Sequence, residues 1–247
     1  MEDGVGDVSS GLPQSSNGFS YADSEAERLL PADYEQMHSR AVTPVRYSSK
    51  SELYDLLCNS ILIDGGRKSF SLERETGKKC FLLSVKEIHM SWGGNRSYWR
   101  WPSLPQISRF SQVAELIEVC WLDIFCRFVV SELSPGTLYS AYLVFRLKEG
   151  SHGLDGFQEA SVALGSYLSR RWVCLDPSED AAMHCGPVGV PHPRGDGTWM
   201  ELQLGEFMVA AEEDGQMVVV RLREVERLNW KSGLVIEGIE LRPTKAS

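Results

Sequence analysis

The sequence predicts an all-β chain: one antiparallel β-sandwich, jelly-roll-like, preceded by a short helical segment. Three observations carry that reading. From residue 61 onward, apolar and polar side chains alternate with period two in one run after another. Turn signals separate the runs: "SPGT" at 134–137, "RGDGT" at 194–198, "EEDGQ" at 212–216 and "KSG" at 231–233. No helical pattern is interleaved between them, which argues against a parallel sheet with crossover helices.

Residues 1–26 read as a disordered acidic tail. The stretch "GVGDVSSGLPQSSNG" is Gly- and Ser-rich with few apolar residues, and ordering it would cost about 1–2 kcal/mol per residue with nothing to offset it. Residues 27–60 read as a helical linker. Ser24 followed by Glu27 has the form of a capping box, and Pro31 interrupts the pattern and starts a second turn. A cleaner helix lies at about 50–58, where Ser49 caps, Glu52 completes the box, and Leu53, Leu56 and Leu57 form one apolar stripe.

The β-domain is predicted over 61–247. In "AELIEVCWLDIFCRF", Leu116, Cys120, Leu122, Ile124, Cys126 and Phe128 share one face of a single long strand. "TLYSAYLVFRL" sets Leu143, Phe145 and Leu147 against Tyr142, Arg146 and Lys148. "TWMELQLGEF" sets Met200, Leu202 and Leu204 against Trp199, Glu201 and Gln203. "QMVVVRLREV" and "GLVIEGIELRP" close the chain, with Gly238 a candidate bulge. Residues 149–197, rich in Gly and Pro, read as loops at one end of the sheets.

Composition narrows function. The 247 residues are 43% apolar, enough for a sizeable core, and carry a net charge of -9. That charge argues against nonspecific binding to nucleic acid or anionic membrane. Six acids and one base within residues 1–30 leave the remainder only mildly acidic. No run of eighteen apolar residues occurs, so no membrane insertion is expected. The first residues have no basic and apolar leader pattern, and cytoplasm and nucleus are the expected location.

No metal or cofactor is expected. The six cysteines contain no CxxC pair and the five histidines are scattered, His89 between Ile88 and Met90 in a strand. His184, Cys185 and His192 lie in a loop and make a weak ligand set. No catalytic residues are expected either. GxSxG, GxxxxGK[ST], HExxH and GxGxxG are all absent. Asp176 with Glu179, and Glu212 with Glu213, read as solvated loop charges.

One stretch stands apart. "SWGGNRSYWRW", residues 91–101, holds three of the seven tryptophans, with Asn95, Arg96, Tyr98 and Arg100 between them. Gly93 and Gly94 permit a tight turn at a sheet end. A flat indole stacks on the apolar C–H face of a sugar while amide and guanidinium groups bind its hydroxyls. The same residue types make protein hot spots, and strand alternation would equally let Trp99 and Trp101 pack together in a core. Spacing alone leaves all three readings open.

From Ser48 to Pro243 the chain resembles the plant phloem protein 2 family with its Nictaba-like lectin domain. The resemblance rests on "ILIDGGRKSFSLERETGKKCFLLSVKEIHMSW", "SYWRW", "SRFSQVAELIEVCWLDI", "YSAYLVFRL", "DGTWMELQLGEF" and "NWKSGLVIEGIELRP", in that order. It implies a β-sandwich lectin without catalysis, binding GlcNAc oligomers or N-glycan cores as GlcNAc-containing glycans or glycoproteins. It implies sugar-stacking roles for Trp92 and Trp99, with Asn95, Arg96 and Tyr98 as hydrogen-bonding neighbours and Trp101 turned to the core. Gly93 and Gly94 stand where those lectins carry Val-Asp, and their lysine-rich nuclear-localisation run is absent.

The opening "ILIDGG" at 61–66 and the segment "EAERLLPADYEQMHSRAV" resemble the F-box branch of that family. Residues 1–26 hold one Leu-Pro pair, Leu12-Pro13, but no three-helix apolar pattern follows it. Direct binding to the Skp adaptor is therefore not expected of this chain. The alternative function is a protein-interaction adaptor with a lectin fold, related to the substrate receptors of F-box ubiquitin ligases.

Overall fold

Alternating strands can close over one core only by pairing into sheets whose apolar faces meet. The computed structural model describes residues 21–177, 189–211 and 215–245 and places two antiparallel sheets in this way. The larger sheet runs in the order β1 (Ile61–Ile63), β2 (Lys68–Leu72), β3 (Lys79–Ser84), β14 (Ser232–Pro243), β8 (Thr137–His152), β12 (Trp199–Val209) and β11 (His192–Arg194). A side branch adds β6 (Ala114–Leu116), paired with β14, and β5 (Trp99–Arg100), paired with β6. The smaller sheet runs β10 (Tyr167–Cys174), β9 (Phe157–Leu164), β13 (Met217–Glu224), β7 (Leu122–Val129) and β4 (Ile88–Met90). The sandwich predicted from alternation is the observed fold.

The core lies between the sheets and draws on both. Phe70, Phe81, Phe145 and Phe207 from the larger sheet meet Ile124, Phe128, Val162 and Val220 from the smaller. A second, smaller cluster covers the outer face of the larger sheet. There Phe110 and Val113 of the segment after β5 pack on Leu82, Val144, Trp199 and Val235, and the Trp199 indole donates to the Ile107 carbonyl at 2.6 Å. Central strand β8 is therefore buried on both faces, at Leu143, Val144 and Phe145 in succession.

Gly238 is a bulge, as expected: the β14–β8 register shifts between Ile236 and Gly238. A Cβ there would lie 2.2 Å from the Leu83 carbonyl oxygen, so only glycine lets β14 and β3 approach this closely.

The expected single strand over 114–128 is two strands in two sheets. Burial keeps even phase at Ala114 and Leu116, jumps to Val119, and resumes even phase from Leu122. Exposed Glu118 stands where a continuous strand would need an apolar residue, and the chain crosses between sheets there. Cys126 is the expected core filler, whereas Cys120 is only half-buried. The stretch 149–197 is not all loop: it holds the end of β8 and the β9–β10 hairpin. The alternation in "FQEASVAL" is regular, but the flanking Gly and Pro outweighed it. His184, Cys185, Glu179, Glu212 and Glu213 lie outside the described residues.

The N-terminal helices are α1 (Tyr21–Leu29), α2 (Tyr34–Ser39) and α3 (Lys50–Cys58). Helix α1 begins before the expected end of the tail at residue 26, so Ser24 lies inside it rather than capping it. Ser49 does cap α3, accepting the Glu52 amide at 3.1 Å, while the Glu52 carboxylate reaches back to Ser48 instead of Ser49. These helices share the sandwich core through Ala26, Met37, Leu53, Tyr54 and Leu57. Arg40 anchors them with two hydrogen bonds to Asp64 (2.8 and 2.6 Å) and one to Glu132 (2.8 Å). Val42 extends the β1 edge by donating to Leu62.

Candidate functional site

The aromatic stretch begins where β4 ends. After Met90 the chain makes successive turns: Gly93 donates to the Met90 carbonyl (2.9 Å), Asn95 to Trp92 (2.8 Å) and Tyr98 to Asn95 (3.0 Å). Trp92 itself takes φ +65°, a left-handed conformation that is rare for a bulky side chain. It throws the indole outward, where it is 58% exposed. The Tyr98 ring backs it at 5.9 Å and 57°, a tilted aromatic pair with Tyr98 half-buried.

The polar residues Asn95 and Arg96 lie in the same turn. The Asn95 side-chain oxygen accepts the Ser97 amide at 2.9 Å, closing the turn, and no further Asn95 side-chain bond forms among the described residues. Arg96 is exposed and makes no ion pair among them. Trp92, Asn95, Arg96 and Tyr98 are thus brought together as one exposed, mixed aromatic and polar turn.

Trp99 does not join them. It opens β5 opposite Leu116, its ring is 1% exposed in the main core, and its indole N–H is used by the Ser91 carbonyl at 3.0 Å. The stacking role expected of Trp99 is corrected accordingly: a side chain covered on all sides presents no face to a ligand. Trp101, on the same side of the strand, packs half-buried against that core, and Arg100 between them is exposed. Alternation placed Trp99 and Trp101 on a common face; the pairing of β5 with β6 turned that face inward.

Two exposed tryptophans at the same end of the smaller sheet were not anticipated. Trp121 precedes β7 and is 48% exposed; Trp230 follows β13 and is 52% exposed. Trp121 lies within the strand expected over 114–128, and Trp230 directly precedes the expected turn "KSG". The available signal was the phase break at Glu118–Cys120, which marks Trp121 as a loop residue.

The loop with Trp230 is built around a buried charge. The Lys231 ammonium donates to the carbonyls of Cys120 (3.0 Å), Arg227 (3.1 Å) and Asn229 (2.9 Å) and pairs with Glu224 Oε2. The other Glu224 oxygen accepts the amides of Glu226 (3.1 Å) and Arg227 (2.6 Å). Gly153, at φ +71°, lies under this loop, where a Cβ would sit 2.0 Å from the Trp230 carbonyl.

Burial pushes the Cys126 and Cys80 thiols up to about 12, so neither supplies a thiolate nucleophile at neutral pH. Among the described residues no three His, Cys, Asp or Glu side chains gather as a metal site, and no helix is long and apolar enough to cross a membrane. Two grooves lie away from the aromatic turn. One of about 360 Å³ is lined by Phe145, Leu175, Pro177 and Met200; the other, of about 440 Å³, is lined by Leu138, Tyr167, Phe207 and Met208.

Comparison with known proteins adds a family. A family model described as phloem protein 2 matches residues 78–243. The chain is 42% identical to the F-box protein PP2-B10 of Arabidopsis thaliana over 224 residues, covering 89% of this chain and 79% of that protein. It is 38% identical to the F-box protein PP2-B15 of the same plant, covering 88% and 83%. Among solved structures, a family 35 carbohydrate binding module from Clostridium thermocellum superposes with a TM-score of 0.35 and 8% identity, over 67% of this chain and 98% of that one. The CBM22-1 xylan-binding domain of Paenibacillus barcinonensis Xyn10C gives 0.33 and 11%, over 66% and 90%. Scores this low set neither fold nor ligand for this chain.

Proposed function

The chain belongs to the phloem protein 2 family, and on that premise we propose that it is a non-catalytic carbohydrate-binding protein whose ligands are GlcNAc oligomers or N-glycan cores. One observation carries the reading. The turn after β4 takes an unfavourable backbone conformation that holds the Trp92 indole in solvent beside Tyr98, in the same turn as Asn95 and Arg96. Strain of that kind costs about 1–3 kcal/mol and tends to mark functional positions. A flat exposed ring in a turn that also carries an amide and a guanidinium suits a pyranose, whose C–H face stacks while its hydroxyls and acetamide are bound.

Titration calorimetry with chito-oligosaccharides tests it. Trp92→Ala is expected to weaken binding by about tenfold, equivalent to about 1.4 kcal/mol, with no fall in melting temperature. Unchanged affinity in the folded variant overturns the assignment.

A second reading, an adaptor that keeps the fold for protein contacts, is favoured by the naming of the relatives as F-box proteins. A glycan array blank at millimolar sugar, with the protein folded, decides for it.

A further inference from the structure

The two sheets differ in what covers their outer faces. A second apolar cluster packs on the larger sheet. None of the outward side chains of the smaller sheet joins either cluster. Alternation defines that open face: in β9, β13 and β7 every second residue is buried, and those between are half-buried or exposed. Register sets the outward residues in rows across the strands. Arg170, Ser161, Arg221, Phe125 and His89 form the middle row. Trp172, Glu159, Arg223 and Asp123 form the row on one side, and Leu168, Ala163, Val219 and Arg127 the row on the other.

The charge of these rows runs against that of the chain. Arginine outnumbers carboxylate in them, Arg127, Arg170, Arg221 and Arg223 against Asp123 and Glu159, while the whole chain has a net charge of -9. Arg221 is taken by Asp123, with Nε donating at 2.7 Å, and Arg170 lies 3.9 Å from Glu159. Arg127 and Arg223 form no ion pair among the described residues. Phe125 has the Arg127 guanidinium 5.1 Å and the Arg221 guanidinium 5.6 Å from its ring centre, with the His89 ring at 4.6 Å.

A guanidinium offers a planar fork of donors that matches a carboxylate, so the two unpaired arginines are ready receptors for one. Four residues along β7 and one strand across separate Arg127 from Arg223, roughly 14 Å at about 3.3 Å per residue and about 4.8 Å between strands. Phe125 lies midway along β7. In an extended peptide, residues i and i+4 point the same way roughly 13 Å apart, with i+2 between them.

We propose that the outer face of the smaller sheet docks an acidic protein segment in extended conformation, with carboxylates at i and i+4 on Arg127 and Arg223 and an apolar side chain at i+2 on Phe125. Polypeptide fits this face better than nucleic acid. Asp123, Glu159 and the negative charge of the chain oppose a continuous run of phosphates, and exposed Leu168 and Trp172 add apolar surface at the margin. The proposal does not depend on the carbohydrate reading of the Trp92 turn.

Fluorescence anisotropy on the full chain tests it, with the labelled peptide Ser-Gly-Glu-Ser-Leu-Thr-Glu-Ser-Gly as probe. The controls are the same peptide with both glutamates replaced by glutamine, a scramble that sets the glutamates side by side, and a single-stranded oligonucleotide. The parent peptide is expected to bind more tightly than all three. Arg127→Gln combined with Arg223→Gln should weaken it by about tenfold, with thermal melts near wild type because both side chains point outward. Should that variant lose stability, Arg127→Lys with Arg223→Lys keeps the charge without the fork and is read by the same criterion. A parent peptide that fails to bind at millimolar concentration overturns the proposal. So does equal binding of a control peptide, or an affinity unchanged in the folded double variant. Tighter binding of the oligonucleotide would make the face a polyanion surface and overturn it equally.

Discussion

Lys231 and Glu224 form an ion pair that the protein closes over almost completely, the lysine 1% and the glutamate 6% exposed. Three backbone carbonyls accept from the ammonium and two backbone amides donate to Glu224 Oε1, while buried Glu224 Oε2 has the ion pair with Lys231 and no hydrogen-bond donor among the described residues. A buried pair is only weak evidence of net stabilisation, but removing one partner strands the other charge without water. Lys231→Met is therefore expected to cost about 3–5 kcal/mol in urea unfolding. The double variant Lys231→Met with Glu224→Gln should recover part of that loss. A single-variant cost below about 1 kcal/mol would show that water reaches Glu224.

Trp99 and Trp92 should respond oppositely to truncation although they lie seven residues apart. Trp99→Ala opens a cavity in the main core and removes a satisfied indole N–H, at a cost of about 3–5 kcal/mol. Trp92→Ala removes an exposed ring and should stay within about 0.5 kcal/mol of wild type. Equal losses from the two variants in thermal melts would mean that the Trp92 ring is also packed.

The left-handed backbone at Trp92 makes a separate prediction. Glycine adopts that conformation freely, whereas alanine keeps the strain. Trp92→Gly should thus be more stable than Trp92→Ala by about 1 kcal/mol, although glycine elsewhere in a chain usually destabilises. A less stable glycine variant would indicate that residue 92 takes an ordinary negative φ in solution.

Acid should loosen the joint between the helices and the sandwich. Hydrogen bonds from Arg40, aided by Lys68, hold the Asp64 carboxyl below its ordinary value of 3.8. A depressed carboxylate contributes stability that is full above its unfolded value and is lost as pH falls through the lower folded value. Glu201 behaves alike: burial pushes it up, but Arg242 and Arg194 outweigh that and hold it low. Glu237 has the opposite sign. Burial raises it against the pull of Ser108, so its contribution is present at low pH and fades as pH rises above about 4.5. Arg40→Met should flatten the acid limb of a stability curve measured between about pH 3 and pH 7. An acid limb identical to that of wild type would remove Asp64 from the account.

The sequence by itself determined the local features. Period-two alternation set the all-β class, the Ser49–Glu52 pattern set the start of α3, and Gly238 marked the bulge, because each is a property of neighbours along the chain. The ordered quoted stretches were enough to indicate the family. Exposure was decided elsewhere. Alternation records that Trp99 and Trp101 share a face, but which face meets the core depends on β5 pairing with β6, seventeen residues on at Leu116. In a larger sheet covered on both sides, apolar character no longer separates inside from outside. The exposure of Trp92, Trp121 and Trp230 lies further still from sequence reading. It arises from the pairing of Val119 with Lys231 and of Met90 with Ile124, contacts between distant segments that no local pattern encodes. Only the tertiary structure could bring them to one end of the sheet, because side-chain exposure in loops is set by which strands become neighbours.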